Sequence, residues 1–218
     1  MPIVSDGKYL SNFCNFVELV IDRNKYYILA IIISVLELNM MLNVIDKIVR
    51  NYKDLKSKIL AHKTLGHKIV CTIGSWDMLH IGHLRYLNAA KERGDVLVVG
   101  VDSDRGVKSY KGEKRPIIPE DERMEMLCYQ SCVDYVTVVD DIDSKGAWQY
   151  KLIQNIPADK FVVVAGNSYT NEQKKYIQKF CELVVLPRQA ENTSSTDIIQ
   201  NVLKKHLITE VADLKVKR

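Results

Sequence analysis

The sequence predicts an α/β domain built on a doubly wound, parallel, five-stranded sheet with an N-terminal helical extension. Two observations carry this. Five short apolar runs, at 68–73, 96–101, 135–139, 161–164 and 183–186, are each bounded by turn or polar residues, as strands covered on both faces should be. Between them lie segments whose apolar residues recur at helical spacing. With 218 residues, 47% apolar and 27% charged, the chain can bury one sizeable core, and disorder throughout is excluded.

Taken in order, Leu42, Ile45, Ile48, Val49, Tyr52, Leu55, Ile59 and Leu60 predict a helix over 41–62, ending near Gly66. The first strand, 68–73, runs into a turn from Gly74 to His80. Residues 81–93 read as a helix stopped by Gly94, and Val96–Val101 as the second strand. A basic loop is expected from Arg105 to Pro119, then a helix over 120–131 and the third strand, Tyr135–Val139. Helices over 148–155, 172–180 and 194–206 alternate with the strands Phe161–Val164 and Leu183–Leu186. The expected division is an extension over 1–66, with residues 1–40 unassigned, a main domain over 67–206, and a solvated tail over 207–218.

Charge and cysteine usage narrow the function. The net charge is only +4, too mild for a nucleic-acid-binding face. Five basic residues and one acid fall between Arg105 and Arg115, a patch suited to a polyanionic small ligand. Five loosely spaced cysteines without a CxxC pair predict reduced thiols and a cytoplasmic protein, and no signal peptide is evident. The apolar stretch within 26–45 is interrupted by Ser34, Glu37, Asn39 and Asn43, so a packing element is expected there and no membrane anchor.

The chemistry concentrates after the first strand, in Gly74-Ser75-Trp76-Asp77-Met78-Leu79-His80-Ile81-Gly82-His83. Ligands of such folds sit beyond the carboxyl ends of the strands, where a helix begins. Gly74 permits close backbone approach. His80 and His83, three apart at a helix start, can share one cavity with free backbone N–H groups and the positive end of the helix dipole. That is an anion site with two switchable donors. The competing readings are plainer. A His-x-x-His pair can be half a zinc site, but HExxH is absent; two histidines can simply cap a helix or pack. Cys128 and Cys132 read as core residues, and Trp148 and Tyr150 as packing residues or a stacking platform for a base.

This ten-residue pattern resembles the signature of the cytidylyltransferase-like (HxGH) nucleotidyltransferase superfamily, with Trp76 in place of the usual Phe. Ser103-Asp104, Val107-Lys108, Lys111-Gly112, Arg115-Pro116, Arg123-Met124 and Val133-Asp134 are similar to the branch of heptose-phosphate adenylyltransferases and glycerol-3-phosphate cytidylyltransferases. The resemblance covers roughly 67–206 and implies a Rossmann-like fold. It implies that His80 and His83 contact the α-phosphate of a nucleoside triphosphate and that Lys108 and Lys111 neutralise the triphosphate and pyrophosphate. Arg123 would hold phosphates, and Asp77 would orient the turn or meet the acceptor. Gly74, Ser75, Trp76 and Gly82 would border the nucleotide, and Gly166 would lie near the base. Arg188 with Ser194, Ser195 and Thr196 would complete the triphosphate site. Mg2+ is the implied cofactor, with no protein ligand assigned, and a homodimer the implied assembly.

The implied reaction moves NMP from an NTP, ATP first, to a sugar phosphate or similar phosphomonoester with release of pyrophosphate. A CTP-dependent polyol-phosphate cytidylyltransferase is the alternative within the class, and an inactive nucleotide-binding regulatory module the alternative outside it. Two departures matter. The spacer after Arg188 lacks the usual glycine, and Ala165-Gly166-Asn167-Ser168-Tyr169 lacks the acid and lysine found in relatives, so base and acceptor choice do not carry over.

Overall fold

The computed structural model describes residues 44–166, 169–191 and 193–207, with side chains through 205. The expectations for residues 1–40, for most of the stretch 26–45 and for the tail beyond 207 lie outside the described residues. The chain divides into two compact units at Val44–Ile45, and the sheet with all of its helices belongs to the second. Among the described residues no helix is long and apolar enough to cross a membrane.

The described strands are β1 (Ile69–Gly74), β2 (Val96–Asp102), β3 (Tyr135–Val139), β4 (Lys160–Val164) and β5 (Glu182–Leu186). They form one all-parallel sheet in the order β3-β2-β1-β4-β5. The order reverses direction at β1, and that switch point is where an open α/β sheet leaves a crevice. The helices are α1 (Tyr52–Thr64), α2 (Ile81–Lys91), α3 (Asp104–Lys111), α4 (Glu120–Cys128), α5 (Lys151–Asn155), α6 (Asn171–Ile177) and α7 (Ser195–Val202). Val98, Val163 and Phe161 of the central strands pack with Leu55 and Ile59 of α1 and Leu152 of α5 in one buried core. Every strand residue from Val96 to Val101 is buried, which is why β2 reads as an unbroken apolar run.

Three expectations are corrected. The helix over 41–62 is broken: Val49 N–H donates to Val136 O and Val136 N–H to Lys47 O, both at 2.8 Å, so residues 47–49 lie along the β3 edge. β-Branched Ile48 and Val49 suit that extended path, and Asn51 then caps α1 by accepting from Lys53 N–H at 2.7 Å. α1 delivers Leu55 and Ile59 to the core, within a compact unit that begins at Ile45.

The expected basic loop begins as a helix. Ser103 caps α3, its Oγ accepting from Gly106 N–H at 3.0 Å, and Gly112 ends it at φ 88°. The segment at 148–150 is not helical. Residues 141–150 form a turn in which the Asp143 carboxylate accepts from Lys145 and Ala147 N–H, and α5 starts only at Lys151. At the far end of the domain, α7 passes at Leu203–Leu207 into a π-helical turn.

Candidate nucleotide site

A cleft of about 960 Å³ opens over the carboxyl ends of the strands. Its centre is the turn between β1 and α2. Trp76 and Met78 adopt positive φ, 51° and 54°, a conformation that costs a non-glycine residue energy unless the surroundings hold it. Asp77 does the holding. It is fully buried and pairs with Arg115 at 2.7 Å, and it accepts from the backbone N–H groups of Ile117 and Ile118 at 3.0 Å. Ser195 Oγ donates to Asp77 O at 2.6 Å, tying the start of α7 to the same turn. Of the two roles expected for Asp77, this geometry displays the orienting one.

His80 is the N-cap of α2. Its Nδ1 accepts from Gly82 N–H at 3.1 Å, so in the neutral ring the proton sits on Nε2. His83 stacks on it with ring centroids 4.0 Å apart, and Trp76 closes edge-on against His83 at 5.6 Å. Trp76 is itself pinned, Nε1 donating to Gly100 O at 2.8 Å. Burial lowers the pKa of His83 to about 4, with His80 and Lys111 adding to the shift. Its Nδ1 is buried without a partner among the described residues, so a second ring proton there would find no acceptor. Burial, then Arg188, lowers His80 as well. Both shifts favour the uncharged imidazole at neutral pH.

Gly82 is required by space. A Cβ there would lie 2.9 Å from both Ala190 Cβ and His80 Cε1. The absent side chain is what lets the loop after β5 close against the histidines.

The structure places the remaining predicted residues unequally. Gly74, Ser75, Trp76, His80, Gly82, His83, Lys111, Gly166, Arg188 and Ser194 all line the cleft. Lys111 Nζ donates to Ser75 Oγ at 2.7 Å, and burial, then the charge of Arg115, lowers its pKa. Lys108 is not brought to the cleft. It lines a neighbouring recess of about 440 Å³ with Arg105 and Glu113. Arg123 is also outside: it is fully buried, with Nε donating to Ile118 O, Nη1 to Ser75 O, and Nη2 to Asp102 O and the Asp104 carboxylate. It braces three loops and has no surface left for phosphate. Ser194 Oγ is engaged with Asp197 and Ser195 Oγ with Asp77, while Thr196 is exposed and outside the lining. At that helix start, backbone N–H groups are better placed than hydroxyls to meet an anion.

Sequence reasoning missed Asp102, Tyr110 and Tyr169, which also line the cleft, and Arg115, which anchors Asp77. The last residue of a parallel strand is a position where ligands are met, and Asp102 ends β2. Among the described residues no cluster of three or more His, Cys, Asp and Glu side chains could hold a metal.

Residues 71–201 match the family described as Cytidylyltransferase-like. The bifunctional protein HldE of Geobacter metallireducens is 39% identical over 165 residues, which is 74% of this chain and 32% of that protein. HldE of Helicobacter pylori strain P12 is 41% identical over 140 residues, 64% of this chain and 28% of its own length. The chain thus spans about a third of the length of these curated relatives. Among solved structures, a lipopolysaccharide core biosynthesis protein from Thermoplasma volcanium GSS1 is similar at a TM-score of 0.48 and 24% identity, over 58% of this chain and 99% of that one. Pantoate-beta-alanine ligase from Francisella tularensis is similar at 0.46 and 17%, over 73% and 78%. The match over 71–201, with the stacked histidines of the β1–α2 turn at its centre, shows that this chain belongs to the cytidylyltransferase-like family of nucleotidyltransferases.

Proposed function

We propose that the chain transfers NMP from an NTP, ATP in preference to CTP, to the phosphate of a sugar phosphate or similar phosphomonoester. The observation that carries this is the neutral, stacked His80–His83 pair at the start of α2, in one cleft with Lys111 and Arg188. The preference for ATP rests on the 103–116 segment and on the identity shared with HldE.

In this reaction an acceptor phosphate oxygen attacks the α-phosphorus and the bond to the bridging oxygen of the β-phosphate breaks. Pyrophosphate leaves with that electron pair. A phosphomonoester is already largely dianionic at pH 7, its second pKa being about 6, so no strong base is needed. The protein's work is alignment and charge stabilisation. His80 offers its Nε2 proton to a non-bridging α-phosphate oxygen, and His83 supports the same centre. Lys111, Arg188 and the N–H groups at the start of α7 meet the departing phosphates. Asp102 is the one carboxylate lining the cleft among the described residues, which fits Mg2+ carried in on triphosphate oxygens and not chelated by the chain. When bound, the ion would offset phosphate charge. A homodimer and a cytoplasmic location belong to the same proposal, checked by light scattering and fractionation.

The test is pyrophosphate release with ATP and CTP against a panel of sugar and polyol phosphates. Release with ATP and a sugar phosphate supports the reading. No release from any pair, by protein that demonstrably binds nucleotide, overturns it in favour of a binding module. His83→Ala should cost at least about 100-fold in turnover while keeping most nucleotide affinity.

A further inference from the structure

The cleft has two chemically different ends. On the β4–β5 side it is bounded by Gly166, Arg188, Ala190, Thr193 and Ser194, a cationic loop and a helix start. On the β2–β3 side it is bounded by Asp102, Ser109, Tyr110 and Ile142. Asp102 stands out there. The other ionisable groups that line the cleft and bear charge or take up protons are His80, His83, Lys111 and Arg188, all suited to anions. A carboxylate facing a triphosphate would weaken its binding by like-charge repulsion. Its position is explained if it faces the part of a ligand that carries no charge.

The carboxylate is held for such a task. It ends β2, and Tyr110 Oη donates to its Oδ2 at 2.6 Å. Arg123 fixes the same residue through its backbone, donating to Asp102 O at 2.8 Å. The side chain is thus oriented without a direct ion pair that would consume both oxygens. Burial raises the pKa of Asp102, and the Tyr110 hydrogen bond with the charges of Arg123 and Lys111 opposes that rise. When ionised the carboxylate is an acceptor only, and hydroxyl groups are the neutral donors that match it. Trp148 and Tyr150, with ring centroids 4.3 Å apart and packed against Phe161 of β4 and Tyr176 of α6, line the same cleft and offer an apolar surface to the carbon skeleton of a ring.

We propose that Asp102, oriented by Tyr110, is the residue that selects a polyhydroxylated acceptor, reading hydroxyl groups of a sugar phosphate on the β2–β3 side of the cleft. This rests on the transfer reaction proposed above and adds a source of acceptor choice, which the resemblance at 165–169 does not carry over.

The experiment compares an aldose 1-phosphate, glycerol 3-phosphate and n-butyl phosphate as acceptors with ATP, in the wild type, Asp102→Asn and Tyr110→Phe. Asp102→Asn keeps the side-chain volume and exchanges an acceptor for a donor. It should cut kcat/KM for the aldose phosphate by about 10- to 100-fold, mainly through KM, as expected for hydrogen bonds to a charged group. Butyl phosphate turnover and the affinity for a non-hydrolysable ATP analogue, measured by calorimetry, should stay within about threefold. Tyr110→Phe should show the same pattern, weaker. Equal losses for all three acceptors, an unchanged aldose phosphate KM, or a wild type that prefers butyl phosphate each overturn the assignment while leaving the transfer reaction standing. No turnover with any acceptor overturns both.

Discussion

The imidazoles of His80 and His83 lie nearly face to face, 29° apart in plane. Burial, the neighbouring ring and Lys111 hold His83 near a pKa of 4, against 6.5 for a free histidine. Between those values the unfolded chain binds a proton that the folded chain does not. Stability rises with pH wherever the unfolded state holds more protons, so this contribution is complete above about 6.5 and is lost as pH falls towards 4. The loss should reach about 3 kcal/mol. Urea melts at pH 7.5 and 4.5 should show it in the wild type and a much smaller slope in His83→Gln. Equal slopes would assign the effect elsewhere.

Gly82→Ala tests whether the histidine geometry depends on the close approach of the 188–190 loop. The new methyl would collide with Ala190 and the His80 ring, costing about 1–3 kcal/mol of stability. A shift of the ring by even an ångström should lower kcat about 100-fold. Thermal unfolding and steady-state kinetics give both numbers, and unchanged kcat would show that the ring is not positioned by this contact.

Lys111 and Lys108 should separate clearly. Lys111 is in the cleft, tethered to Ser75, whereas Lys108 faces the neighbouring recess. Lys111→Ala should reduce kcat/KM by about 100-fold or more, as for other single donors to developing phosphate charge. Lys108→Ala should cost less than about tenfold, through long-range charge alone. The reverse order would mean that α3 rotates when nucleotide binds.

Arg123 should behave as a structural residue. Lysine cannot reproduce a planar fork that reaches Ile118, Ser75 and Asp102 carbonyls and the Asp104 carboxylate together. Arg123→Lys should lose about 3–5 kcal/mol in chemical denaturation, the range for breaking a buried charge network. Nucleotide affinity of the folded fraction, by calorimetry at low temperature, should change little. A large affinity loss at unchanged stability would return Arg123 to the phosphates.

The strands and the β1–α2 turn were legible because their determinants are local. Short apolar runs mark buried strands, and His80, Gly82 and His83 lie within four consecutive residues. The breaks in helices were not. Ile45, Ile48 and Val49 continue the periodicity of α1 backwards, and only pairing with Val136 reveals the extended path. The segment that forms α3 read as part of a basic loop, although Ser103 is a competent cap. Arg123 was expected at the phosphates from the resemblance, and nothing in its sequence neighbourhood signals burial. Three of its four partners, Ser75, Asp102 and Asp104, lie well away in sequence. Asp102 was overlooked because one acid at a strand end has no pattern to announce it.

The β1–β4 ladder pairs only Val70 with Lys160 and Cys71 with Phe161, after which the two strands part. Thr72 Oγ1 and Tyr86 Oη take over Val162 O at 3.1 and 2.9 Å, so the gap leaves that carbonyl satisfied. The crevice is therefore a built-in seam of the scaffold, and loops only decorate its rim. Loop sequences around it can drift towards new substrates without the seam having to be reinvented, which is how one framework can host many transfer reactions.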